Sequence, residues 1–80
     1  MKRFVATFHT HLSAILTRKA LQRAGINATL TPVPRKLSSS CGSCVFYEAE
    51  DPSYACMDED TEAVYRVDGE NYVLCRIISE

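Results

Sequence analysis

The residues able to do chemistry in this sequence concentrate in one tract, Pro32-Val33-Pro34-Arg35-Lys36-Leu37-Ser38-Ser39-Ser40-Cys41-Gly42-Ser43-Cys44. A cysteine acts as nucleophile or ligand through its thiolate, so its neighbours decide what it can do. Cys41 and Cys44 have the spacing of a thioredoxin-like redox pair. In such pairs, however, the first cysteine opens a helix, whereas Val45, Phe46 and Tyr47 continue here with the composition of a strand. A zinc site needs two further ligands; Cys56, Cys75, His9 and His11 are the candidates, and they form no second close pair. A third reading makes Cys44 a resolving thiol that displaces a sulfur-bound group from Cys41 and leaves a disulfide. Its plain alternative is a strand cysteine packed as a small hydrophobe. Cys75, inside the apolar run Tyr72 to Ile78, reads as core, and Cys56, in an acidic loop, as a bystander.

The elements that must position these residues follow from periodicity. Arg3 to Thr10 alternates Phe4, Ala6 and Phe8 with Val5, Thr7 and His9, the period of a strand buried mainly on one face. Leu12, Leu16, Ala20 and Ala24 then recur every four residues beside Ile15, while Thr17, Arg18, Gln22 and Arg23 lie off that stripe. This predicts an amphipathic helix over residues 11–24, with Thr10 or Ser13 at its N-cap and Gly25 just past its end. Ile26, Ala28 and Leu30 alternate as a second strand that must stop near Pro32 and Pro34, and Cys44 to Glu48 forms a third. Residues 58–69 carry two signals. Asp58, Glu59, Asp60 and Glu62 suit a helix N-terminus, with Gly69 as the stop, but Val-Tyr-Arg-Val before Asp68-Gly69 also suits a hairpin with a type I′ turn. Tyr72 to Ile78 is a strand in both readings.

A β-α-β-β beginning in one small unit predicts an α+β, ferredoxin-like split β-α-β-β-α-β fold, an antiparallel sheet with helices on one face and the third strand between the first two. That geometry brings the 35–42 loop to the sheet end where strand one stops and the helix starts, beside His9, Thr10 and His11. A helix N-terminus, Arg35, Lys36 and protonated histidine all favour a thiolate, so Cys41 is expected to have surroundings that bring a thiol below about 8.5. Ser38, Ser39 and Ser40 add hydroxyl donors, and Gly42 allows close backbone approach. From its residues alone, the loop reads as a carrier of a nucleophilic or sulfur-bearing cysteine.

The Pro-x-Pro-Arg and Ser-Ser-Ser-Cys-Gly runs, with Phe8-His9-Thr10-His11 before an Ala/Leu-rich helix closed by Ala24-Gly25-Ile26, closely resemble the selenium/sulfur carrier-like family. These are small bacterial proteins that also occur fused behind a TusA-like sulfur-carrier module. The resemblance covers residues 3 to about 48. It implies that Cys41 is the motif cysteine and holds sulfur or selenium as a persulfide or perselenide, with no other cofactor. It implies donor and acceptor proteins as partners, and a carrier in place of a turnover enzyme. At Cys44 the family usually has a small or apolar residue.

Eighty residues bound the chain to a single small domain spanning 1–80. No apolar run is long enough to cross a membrane and no export signal is visible, so the expectation is a cytoplasmic protein with reduced thiols and no membrane contact. Net charge −1 conceals segregation: residues 1–47 hold seven basic side chains and no acid, and residues 48–80 hold all ten acids against Arg66 and Arg76. Such segregation either builds an anion-facing and a cation-facing surface or cancels when the halves pack. Nucleic acid is the weaker partner, because Gly42 to Tyr47 lacks the basic and aromatic spacing that stacks RNA bases on a third strand. An exposed strand edge would also permit a homodimer.

Overall fold

The structure is a computed structural model describing residues 1–80. Its order is β1 (Lys2–Phe8), α1 (His11–Arg23), β2 (Asn27–Pro32), β3 (Ser43–Ala49), a 3-10 turn η1 (Tyr54–Cys56), β4 (Thr61–Asp68) and β5 (Asn71–Ile77). All five strands form one sheet in the order β2-β3-β1-β4-β5, and every neighbouring pair is antiparallel. The α+β class and the split arrangement hold, since β3 lies between β1 and β2 and runs antiparallel to both.

The second helix is absent. Residues 61–77 form the hairpin that Val-Tyr-Arg-Val and the following glycine allowed, and η1 stands where that helix would lie, packing Tyr54, Cys56 and Met57 against the same core as α1. The acids Asp58 and Asp60 shape the turn before β4 instead: Asp58 accepts from the Asp60 amide at 3.2 Å and its carbonyl accepts from the Thr61 amide at 3.0 Å. Asp68 pairs with Asn71, so the two-residue loop is Gly69-Glu70. Gly69 has φ +62 and Glu70 a negative φ, the sign pattern of a type II′ turn and not the expected type I′.

The helix has the predicted limits because its signals are local. Thr10 Oγ1 accepts from the Ser13 amide at 3.1 Å, and at the far end Gly25 N–H bonds Gln22 and Ile26 N–H bonds Leu21, the paired bonds of a Schellman motif. Its buried face, however, is not the predicted stripe. Ser13, Ala14, Thr17 and Leu21 are buried, whereas Leu12 is 64% and Leu16 45% exposed. The inner sheet face already carries the bulky Phe4, Phe8 and Tyr47, the first and last stacked with centroids 5.4 Å apart, so small helix residues fit against it. Thr17 also accepts from the Asp58 amide at 3.1 Å, which ties the η1–β4 connection to that face.

β1 is central and buried on both faces from Phe4 to Phe8, more completely than its alternation suggested. Opposite the helix, the 33–42 loop crosses toward the β4–β5 turn, where Lys36 Nζ donates to the Glu70 carbonyl at 2.8 Å, and Val5, Thr7, Cys44 and Ala63 are buried beneath that side. β5 forms an edge and is exposed except at half-buried Tyr72, so Cys75 is a surface residue and not core. Tyr65 faces Leu74 and Val64 faces Arg76, which leaves Cys75 unopposed in a bulge. Cys56 is half-buried against the core rather than free in an acidic loop. No helix is long and apolar enough to cross a membrane.

Candidate functional site: a cysteine loop anchored by serine

The split topology brings the loop end to the end of β1, and Ser39 makes the junction. Its hydroxyl accepts from the Phe8 amide at 3.2 Å and has two carbonyls, Phe8 and Ser43, each at 2.9 Å. One hydroxyl proton serves one carbonyl at a time, so Ser39 ties β1 to the start of β3 by accepting from the Phe8 amide and donating to either carbonyl. The turn closes through Gly42 N–H to the Ser39 carbonyl at 3.0 Å and Val33 N–H to the Gly42 carbonyl at 3.0 Å. Gly42 has φ +77, a left-handed conformation that costs a side-chain-bearing residue about 1 kcal/mol.

Cys41 is thereby fixed at the junction. Its amide bonds the Phe8 carbonyl at 3.4 Å, and its half-buried thiol packs against the core with Ser39 Oγ at 3.6 Å and the Ser43 carbonyl, to which S–H donates, at 3.5 Å. His11 Nδ1 lies 3.3 Å from Ser43 Oγ, which joins the first residue of α1 to the same corner. Thr10 contributes the helix cap.

Ser40 points the other way, to Glu62, in the segment whose sequence suits a helix start and a hairpin strand alike. Glu62 accepts from the Ser40 amide at 3.2 Å and its hydroxyl at 2.8 Å, and Glu62 Oε2 is 3.5 Å from His9 Nδ1. His9 Nε2 is 3.1 Å from the Ser79 carbonyl, so both ring nitrogens face acceptors and a doubly protonated ring makes both bonds at once. Glu62 thus clamps the loop to β4 and β1. Reading residues 58–69 as a hairpin would have revealed it, since β4 then starts beside the end of β1. Ser43 was likewise missed as the group between His11 and Cys41.

The remaining predicted residues lie outside this corner. Arg35 is exposed and makes no ion pair, and Ser38 lines a shallow cleft of about 460 Å³ with Lys36, Leu37, Tyr65, Asn71 and Tyr72. A smaller cavity lies at β2 and β3, and Cys41 lines neither. Cys44 is fully buried in β3, its thiol 3.4 Å from Thr31 Oγ1. Burial pushes its pKa up, the Thr31 hydrogen bond pulls it partly back, and the nearby Cys41 thiol adds to the rise. Such a thiol is a poor attacking group. All four cysteines are free, and no three of the histidines, cysteines and acids gather into a group that could hold a metal ion.

Fold and site define a small split-sheet α+β protein that presents one half-buried thiol on a loop anchored to its central strand. The chain belongs to the family described as "Putative Se/S carrier protein-like", whose model matches residues 3–67 and so reaches Val67 in β4. It is similar to the uncharacterized protein YtiA of Escherichia coli (strain K12), at 44% identity over 46 residues covering 58% of this chain and 54% of that protein. The match therefore spans about half the length of this curated relative. No solved structure matches the chain significantly.

Proposed function

We propose that the protein carries sulfane sulfur, or selenium in the same oxidation state, on Cys41 and passes it between proteins in the cytoplasm. The observation that supports this most directly is the loop itself: a thiol at a fixed surface position, held by Ser39 to β1, in a chain of the Se/S carrier-like family. Loading is a transfer without net redox change. Cys41 sulfur attacks the outer sulfur of a donor persulfide, the Cys41 S–S bond forms as the donor S–S bond breaks, and the donor leaves as its thiol while the proton of Cys41 goes to it. Unloading repeats the step with an acceptor thiol.

The burial of Cys44 favours this reading over a redox pair. A resolving thiol would discharge Cys41 by expelling sulfide, and a buried, protonated Cys44 does so slowly, so the loaded state persists.

Intact-mass spectrometry after incubation with a cysteine desulfurase and cysteine, or with inorganic polysulfide, tests the proposal. The wild type should gain one sulfur atom that a reducing agent removes, Cys44→Ser should load as well, and Cys41→Ser should not load. Undiminished loading of Cys41→Ser, or a mass loss of two hydrogens in place of a gain, would overturn it.

A further inference from the structure

Helix α1 buries the wrong side for its composition. Burial of apolar area would place Leu12, Ile15 and Leu16 against the sheet, yet Ser13, Ala14 and Thr17 are there instead, and the Ser13 hydroxyl is buried without a partner. Leu12 and Leu16 stand in solvent, on nearly the opposite side of the helix from Leu21 at about 100° per residue. Lys19 and Arg23 continue the same line at helical spacing, and both are exposed without ion pairs. α1 carries no acid, nor does any residue from 1 to 47. The line starts at the first turn, where His11 meets Ser43 two residues from Cys41. An exposed apolar stripe that begins one residue past the helix turn touching the Cys41 loop and runs into unpaired cations marks a surface kept for another molecule.

We propose that this stripe, Leu12 and Leu16 extended by Lys19 and Arg23, seats the protein that delivers sulfur to Cys41, and that the seated partner presents an apolar patch bordered by acidic side chains. The leucines supply the contact area, and the basic end fixes orientation, with the helix start and Cys41 facing the donor persulfide. Apart from Met1, the other large exposed apolar residues, Val73, Leu74 and Ile77, lie on β5, whose bulge at Cys75 interrupts its free edge.

The inference rests on the carrier reading, and the test separates the two. Wild type, Leu12→Gln/Leu16→Gln and Lys19→Glu/Arg23→Glu are each loaded by a cysteine desulfurase with cysteine and, separately, by inorganic polysulfide, which needs no docking. Circular dichroism confirms that the variants are folded. Desulfurase loading should slow about tenfold or more in the leucine variant, and lose its salt dependence in the charge variant, while polysulfide loading stays within about twofold. Equal desulfurase rates in all three proteins, or a wild type that takes sulfur from polysulfide and none from the desulfurase, would overturn the docking surface alone. Failure of the wild type with both donors would remove the carrier reading and the surface with it.

Discussion

Cys41 and Cys44 are three residues apart, and one strand position separates their chemistry. Cys41 precedes β3 and stays at the surface corner, whereas Cys44 is the second residue of β3 and is drawn under the crossing loop. The pKa of Cys44 is raised, as is that of Tyr47, for which burial is again the leading cause. For both groups the folded state keeps a proton that the unfolded chain releases, so stability is full below the unfolded values and falls as pH rises through about 8.5 for cysteine and then about 10 for tyrosine. Urea denaturation as a function of pH should show that alkaline loss, and Cys44→Ala should move its onset toward the tyrosine range. An onset that does not move would mean the Cys44 thiol is no more costly to ionise in the fold than in the open chain.

At the scale of elements, the limits of α1 were legible because caps are local: Thr10, Gly25 and the intervening pattern act within a few residues of themselves. The face it buries was not legible, because that depends on what the sheet offers, and a sheet floor of Phe4, Phe8 and Tyr47 admits small side chains. The prediction is an inversion of the usual ranking of leucines. Leu21→Ala should cost about 2–5 kcal/mol, while Leu16→Gln should stay within about 0.5 kcal/mol, measured by denaturant unfolding. Equal losses would place Leu16 in the core. The hairpin was only half legible, since Asp58 to Glu62 satisfy a helix start and a strand entry alike until Thr61 is seen beside Phe8. The expected meeting of the loop with the end of β1 followed from topology, because strands one and two point the same way; the Glu62 clamp did not, because it depends on β4.

At the scale of the molecule, the segregated charges do not cancel by pairing. The one basic-to-acidic side-chain contact at ion-pair distance is His9 Nδ1 with Glu62 Oε2, while Arg3 lies over the Phe46 ring at 4.8 Å and Arg76 over Tyr54 at 4.1 Å, and the exposed cations Lys19, Arg23 and Arg35 are free. The basic half thus keeps cations that no neighbouring carboxylate holds in a close pair. The central place of β1 has a different consequence, one of timing. Its partners are β3, in the register Lys2 with Ala49, and β4, in the register Phe8 with Thr61, so nothing local can pair it. Refolding should therefore take on the order of milliseconds to seconds, and a microsecond phase carrying the whole amplitude in stopped-flow or temperature-jump experiments would contradict that. On the ribosome, synthesis at about 5–20 residues per second leaves Phe4, Val5 and Phe8 waiting several seconds for strands still being made. During that interval the nascent chain holds what will become its best-buried segment with neither of its partner strands yet complete.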